Sequence, residues 1–297
     1  MRDAVKHRAF EENASIQVAI ASGKGGTGKT TVATNLAVVL ADAGRAVTYL
    51  DCDVEEPNGH IFLKPEICSE TSVGLPVPIV DTEKCNLCGQ CAEICQFGAI
   101  VCIGDKVRVF PDLCHGCGGC RLACPEGAIR EAPRDIGVVE EGHAGAIRFI
   151  QGRLRVGQAL SPPLIREVKR RSPEQGIRIL DAPPGTACPA VQSVRDADLV
   201  LLVTEPTPFG LHDLRLAAEM VRVLGLPLGV VVNRAGVGDE GVRSYCNQEG
   251  IDILLEIPED RRVAEAYSQG RLACEAVPGY REQFDALFLR VEEVVTG

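Results

Sequence analysis

The sequence has no tryptophan, four tyrosines and eight phenylalanines in 297 residues, which argues against a base-stacking platform for single-stranded nucleic acid. It is also poor in positive charge. Its 31 Lys and Arg stand against 41 Asp and Glu, a formal net charge of -10, so nonspecific nucleic-acid binding through a basic surface is disfavoured. No apolar run approaches the length of a membrane span, and the opening MRDAVKHRAFEEN lacks the apolar segment of a secretory signal. The expectation is a cytoplasmic protein with no direct membrane insertion.

What the chain does have is cysteine, 14 in all, within a composition that is 45% hydrophobic. That length and apolar content suit one large α/β domain and a smaller module. Cysteines in a secreted chain suggest disulfides; without a signal, and at CxxC spacing, they point to metal binding in a reducing compartment.

Short apolar strands alternate with helices along most of the chain. IQVAIA (16–21) leads into a Gly-rich loop and a helix over 30–43, and AVTYL (46–50) ends at DCD. The rhythm resumes with helices over 164–171, 211–224 and 240–248, strands over 177–180, 199–203, 228–232 and 251–255, and a closing helix. This predicts a doubly wound α/β fold with a mostly parallel sheet covered on both faces. Between about 64 and 158 Pro, Gly and Cys take over, so residues 1–63 and 159–297 are assigned to one domain and 64–158 to an insert. Inside it KCNLCGQCAEICQFGAIV is echoed by LCHGCGGCRLACPEGAIR, a pseudo-symmetric module over about 80–132.

Cys85, Cys88, Cys91 and Cys95 form C-x2-C-x2-C-x3-C, and Cys114, Cys117, Cys120 and Cys124 repeat it. The pattern resembles the bacterial two-cluster ferredoxins, an α+β module in which the fourth Cys of each run ligates the other cluster. That resemblance implies one [4Fe-4S] cluster on Cys85, Cys88, Cys91 and Cys124, and another on Cys114, Cys117, Cys120 and Cys95. Paired structural zinc sites are the alternative, since CxxC also suits tetrahedral zinc. The first copy ends in Gln96 where the second has Pro125. Cys52, Cys68, Cys102, Cys188, Cys246 and Cys274 lie outside the pattern and read as small buried hydrophobes.

Gly23, Lys24, Gly25, Gly26, Thr27, Gly28, Lys29, Thr30 and Thr31 follow a strand and open a helix. Glycines at this place let backbone N–H groups turn toward phosphates, Lys29 neutralises the β and γ groups, and the Thr30 hydroxyl suits Mg²⁺.

KGGTGK resembles the deviant Walker A loop of the MinD, ParA and nitrogenase iron-protein superfamily. In it the first lysine, here Lys24, crosses a dimer interface to the partner's nucleotide. DCDVEEPN (51–58) resembles its switch I, where Asp53 would position the attacking water. ILDAPPGTACP (179–189) resembles switch II, with Asp181 holding Mg²⁺ through water. VVNRAG places Asn233 and Arg234 where the superfamily recognises adenine, and no guanine-specific NKxD is present. With TEPTPFGLHDL (204–214), the motifs resemble MinD-superfamily ATPases containing an inserted ferredoxin domain, over about residues 16–290.

The resemblance implies ATP and ADP with Mg²⁺, two [4Fe-4S] clusters, a nucleotide-dependent homodimer and a redox or metalloprotein client. Because the insert falls between Asp53 and Asp181, electron transfer gated by ATP is the leading expectation. A metallocentre-assembly carrier and a redox-sensing positioning protein are the alternatives. The C-terminal CxxC of cluster carriers is missing, for Cys246 and Cys274 are isolated, and REQFDALFLRVEEVV reads as a core helix, lacking the basic face of a membrane helix. Cys188 stands where the nitrogenase iron protein places a bridging cysteine, but no second bridging ligand is evident.

Overall fold

The computed structural model describes residues 15–296; the opening segment, read as lacking a secretory signal, lies outside the described residues. The chain begins with β1 (Ile16–Ala21), α1 (Lys29–Asp42), β2 (Val47–Asp51) and the short α2 (Gly59–Leu63). A long strand, β3 (Glu66–Val80), leads to α3 (Gln90–Ile94), β4 (Ile100–Ile103), β5 (Lys106–Val109) and α4 (Gly119–Leu122), and β6 (Ile129–Ala144) and β7 (Ile147–Leu154) return. Then follow α5 (Pro162–Arg170), β8 (Ile177–Asp181), α6 (Cys188–Val194), β9 (Leu199–Thr204), α7 (Pro208–Val223), β10 (Leu228–Ala235) and α8 (Gly241–Glu249). β11 (Ile253–Pro258), α9 (Arg261–Ser268), α10 (Ala273–Ala276) and α11 (Tyr280–Thr296) complete it.

Nine strands form one sheet in the order β11-β10-β9-β1-β8-β2-β7-β6-β3. It is parallel from β11 to β7, and β6 and β3 continue it antiparallel. Every residue of β1 is buried, as a central parallel strand covered on both faces requires. Alternation then divides the core: Ile16, Val18 and Ile20 pack with α1 and α11, while Ala19 and Ala21 pack on the face of α5, α7 and α8. The closing helix is core, as its sequence suggests, with Phe284, Leu287, Phe288 and Val291 buried.

The interruption read over 64–158 is less separate than the sequence rhythm suggests. β7 pairs in parallel with β2, and β6 and β3 extend the same sheet. The ribbon β3–β6 runs outward until Val80 pairs with Ile129, and the cysteine runs occupy the tip beyond it, with β4 and β5 forming a separate hairpin. Pro76 and Pro78 obscured β3, because proline cannot donate to a ladder; β3 is the edge strand, where proline is tolerated.

Candidate functional site

The loop after β1 wraps the N-terminus of α1. Gly28 caps that helix at φ 100, and a Cβ there would stand 2.4 Å from Asn233 Nδ2. Only glycine meets both conditions. Around Gly25 and Gly26 the space is open, so their backbone faces the cleft without obstruction. Gly25, Gly26, Gly28, Lys29, Thr30, Thr31, Asp53, Asn233 and Arg234 line one cleft of about 370 Å³ with Pro258 and Tyr267, within the size range of small-ligand sites. Lys29 is only 7% exposed. Gly23 sits behind the loop, where a Cβ would strike the Asp213 carbonyl.

Beneath the cleft lie two carboxylates. Asp51 and Asp181 end neighbouring strands β2 and β8 in direct register, and both are buried. Asp51 accepts backbone N–H bonds from Asp53, Asn58 and Gly59 at 3.2, 3.1 and 2.9 Å, which folds the loop after β2 back on itself. Burial first, and the charge of Asp181 next, still raise its pKa well above the ordinary carboxylate range. Asp181 Oδ2 accepts from the Tyr49 hydroxyl at 2.9 Å, whereas Oδ1 is buried without a hydrogen-bond partner. Burial raises its pKa too, opposed by neighbouring Thr30 and Lys29. Asp53 is pushed up to about 6 by burial and then by Asp181, with Lys29 opposing. An orphaned carboxylate oxygen beside a threonine hydroxyl fits a hydrated Mg²⁺, and the buried lysine fits the phosphate next to it.

Lys24 lies 3.7 Å from Glu205, which also holds Arg234 at 3.0 Å; Arg234 reaches Glu259 at 3.6 Å. The Asn233 amide donates to the Thr27 carbonyl at 2.8 Å. The structure thus spends part of Asn233 on the phosphate loop itself and Arg234 on two glutamates. Glu205, Asp51 and Tyr49 were missed in the sequence; the first Asp of DCD was the available signal.

At the ribbon tip the two cysteine runs cross. One small cavity is lined by Cys85, Cys88 and Cys91 with Cys124. The other is lined by Cys114, Cys117 and Cys120 with Cys95. Among the described residues no group of three or more His, Cys, Asp or Glu stands so as to hold a single metal ion; the thiols instead surround cavities. The reading of the remaining cysteines as buried hydrophobes holds for Cys52, Cys246 and Cys274. It fails for Cys68 and Cys188, which are exposed because they lie on the edge strand β3 and at the start of α6, and for Cys102, which lines the first cavity half-buried. Burial and then the adjacent Cys102 push the Cys91 thiol up to about 11.

The model of the CobQ/CobB/MinD/ParA nucleotide binding domain matches residues 18–273. The chain belongs to this family. An uncharacterized protein of Methanocaldococcus jannaschii is 32% identical over 262 residues, 85% of this chain and 89% of that one. An iron-sulfur cluster carrier protein of the same organism is 26% identical, covering 95% of this chain and 85% of its own length. Among solved structures, the septum site-determining protein MinD complexed with Mg-ADP from Pyrococcus horikoshii has a TM-score of 0.60 at 20% identity, covering 95% of this chain and 98% of that one. The fold is therefore MinD-like, and the family makes this a MinD/ParA-like P-loop ATPase. No helix among the described residues is long and apolar enough to cross a membrane.

Proposed function

We propose that this protein is an ATP-hydrolysing iron-sulfur protein in which nucleotide-dependent closure of two copies is coupled to electron transfer. The observation that carries the reading is the crossing at the tip, where each cavity takes three cysteines from one run and the fourth from the other. Cys85, Cys88, Cys91 and Cys124 would hold one [4Fe-4S] cluster, and Cys114, Cys117, Cys120 and Cys95 the other, in a ferredoxin-like tip. Soft thiolates around two enclosed spaces suit such clusters, which supply one-electron transfer when bound.

At the other site Lys29 offsets phosphate charge, while Thr30 and Asp181 supply oxygens for Mg²⁺. Asp53, at the cleft wall, orients the attacking water. Lys24 must leave Glu205 to reach a partner's nucleotide, so ATP-driven dimerisation exchanges one anionic partner for another. Adenine recognition falls to the Asn233 and Arg234 side of the cleft. Two contacts support coupling: the Leu154 N–H donates to the Val54 carbonyl at 2.8 Å, and the Ser161 hydroxyl to Glu55 at 2.9 Å. Residues flanking Asp53 are thereby bonded to the end of β7 and the start of α5, the base of the ribbon.

A second reading, a carrier that delivers clusters to a metalloprotein client, is favoured by the names of several relatives. ATPase rate and dimerisation of anaerobically purified protein, oxidised and then reduced, test the first, with Lys24→Ala and Asp53→Ala as controls. A rate or assembly that changes with redox state supports electron transfer. Indifference to redox state, with clusters passing to an apo-protein, refutes it and leaves the carrier.

A further inference from the structure

The two cysteine repeats differ at a matched position that reaches both cavities. Cys102 and Glu131 each stand two residues after the isoleucine of their GAI triplet. They line the cavities opposite to those lined by the alanine and isoleucine before them: Ala99 and Ile100 line the second cavity and Cys102 the first, whereas Ala128 and Ile129 line the first and Glu131 the second. Pseudo-symmetry thus places a thiol against one set of four cysteines and a carboxylate against the other.

Both groups are close to the cysteines. Cys102 lines the same cavity as Cys91 and packs against the cluster of Cys91, Ile100 and Ile129. Glu131 Oε1 lies 3.2 Å from where a Cβ of Gly118 would stand, against the loop between Cys117 and Cys120. Other charges are nearby but more hydrated. Arg121 pairs with Glu131 at 3.0 Å and is half exposed, and Glu126, beside the first cavity, is exposed and accepts from Asn86. His115 is stacked on Phe97 at the second cavity.

Resting on the two-cluster reading, we propose that Cys102 and Glu131 are tuning residues that set the electron affinities of the two cavities apart. A thiol donating to a ligating sulfur withdraws electron density and favours the reduced form. A carboxylate opposes the arrival of an electron, and water screens it less than it screens the exposed charges around it. The cavity of Cys85, Cys88, Cys91 and Cys124 is therefore the one that takes the first electron. Pro76 and Pro78 line the second cavity and Val80 the first, so that cavity is also the outer one along the ribbon. The gradient runs from the ATPase body toward the tip.

EPR-monitored redox titration of the anaerobic full-length protein tests this, after its iron and sulfide have been counted. With about eight iron per chain, the parent gives two one-electron waves. Cys102→Ala lowers the upper wave, Cys102→Ser, which keeps a donor, restores it, and Glu131→Gln raises the lower one. Each shift is expected to reach a tenfold change in electron distribution, about 59 mV. The proposal is overturned if Cys102→Ala moves the lower wave or neither, or if Glu131→Gln moves neither. Should Cys102→Ala lose iron, the Glu131→Gln arm, which alters no ligand, decides. A parent with far less iron than eight fails at the count, before any wave is read, and overturns the two-cluster reading itself.

Discussion

Replacing Asp53 with asparagine should stop ATP hydrolysis and, in nucleotide-free protein, raise stability in a pH-dependent way. The carboxyl group is pushed from an ordinary 3.8 to about 6, by burial and by the neighbouring charge of Asp181, despite the attraction of Lys29. A rise of about two in pKa corresponds to roughly 3 kcal/mol at about 1.36 kcal/mol for each. The folded chain holds this proton more tightly than the unfolded one. The resulting stability is fully present below about pH 4 and is lost as pH rises through 6. Above that, ionised Asp53 opposes folding by up to ~3 kcal/mol, and the uncharged asparagine amide does not. The gap between variant and parent should be near zero at pH 4 and open to about 2–3 kcal/mol by pH 8, a Tm difference of roughly 4–10 °C for a chain of this size. Thermal unfolding at a series of pH values without Mg²⁺ measures it. Mg-ATP should narrow the gap by stabilising the parent. A constant gap from pH 4 to 8, or a variant less stable at pH 8, would refute the reasoning, since either means that Asp53 is solvated and feels little of Asp181.

Three further substitutions probe separate parts of the site. Gly28→Ala forces an L residue to φ 100 and a Cβ into Asn233; a strain of about 1–2 kcal/mol plus the clash should weaken ATP binding at least tenfold by calorimetry. Tyr49→Phe removes the hydroxyl that donates to buried Asp181 Oδ2, costing about 1–3 kcal/mol in thermal unfolding at pH 7, with Mg²⁺ recovering part of the loss. Lys169→Met removes the ammonium that donates to the Gln192 and Ser193 carbonyls at 3.2 and 3.1 Å and to Arg195. Amide exchange should then quicken across α6, and unchanged protection there would show the cap to be idle.

The parallel sheet was legible because each central strand is a short, mostly apolar run, and the phosphate loop because glycine is forced by backbone geometry at Gly28. The crossed cysteine sets were implied by the resemblance of the repeated spacing to two-cluster ferredoxins. What escaped was set by distant partners. β3 is polar and carries proline, and only its place at the sheet edge makes it a strand. Glu205 has no local signal; its role comes from lying within reach of both Lys24 and Arg234. Asn233 lines the cleft, and nothing in its local sequence shows that its amide also donates to the Thr27 carbonyl, for which Gly28 leaves room. Cys102 looked like one more small hydrophobe until the fold set it beside Cys91.

The same distant contacts give α5 a place between the loops that follow Asp51 and Asp181. Its N-terminal Ser161 is bonded to Glu55, two residues from Asp53, and its Lys169 grips the end of α6, which follows Asp181 and its loop. Just past its C-terminus Arg171 pairs with Glu141 of β6 at 2.9 Å and donates to Thr71 of β3. One short helix therefore touches the loop of Asp53, the helix after Asp181 and both strands of the ribbon. On the proposed reading, a shift of either loop on γ-phosphate loss would displace a packed element that the ribbon also leans on, because side chains as buried as Leu164, Ile165 and Val168 leave no slack to absorb it. Coupling from nucleotide to cysteine cavities then requires no long-range signal beyond rigid-body movement of α5 against β6 and β3.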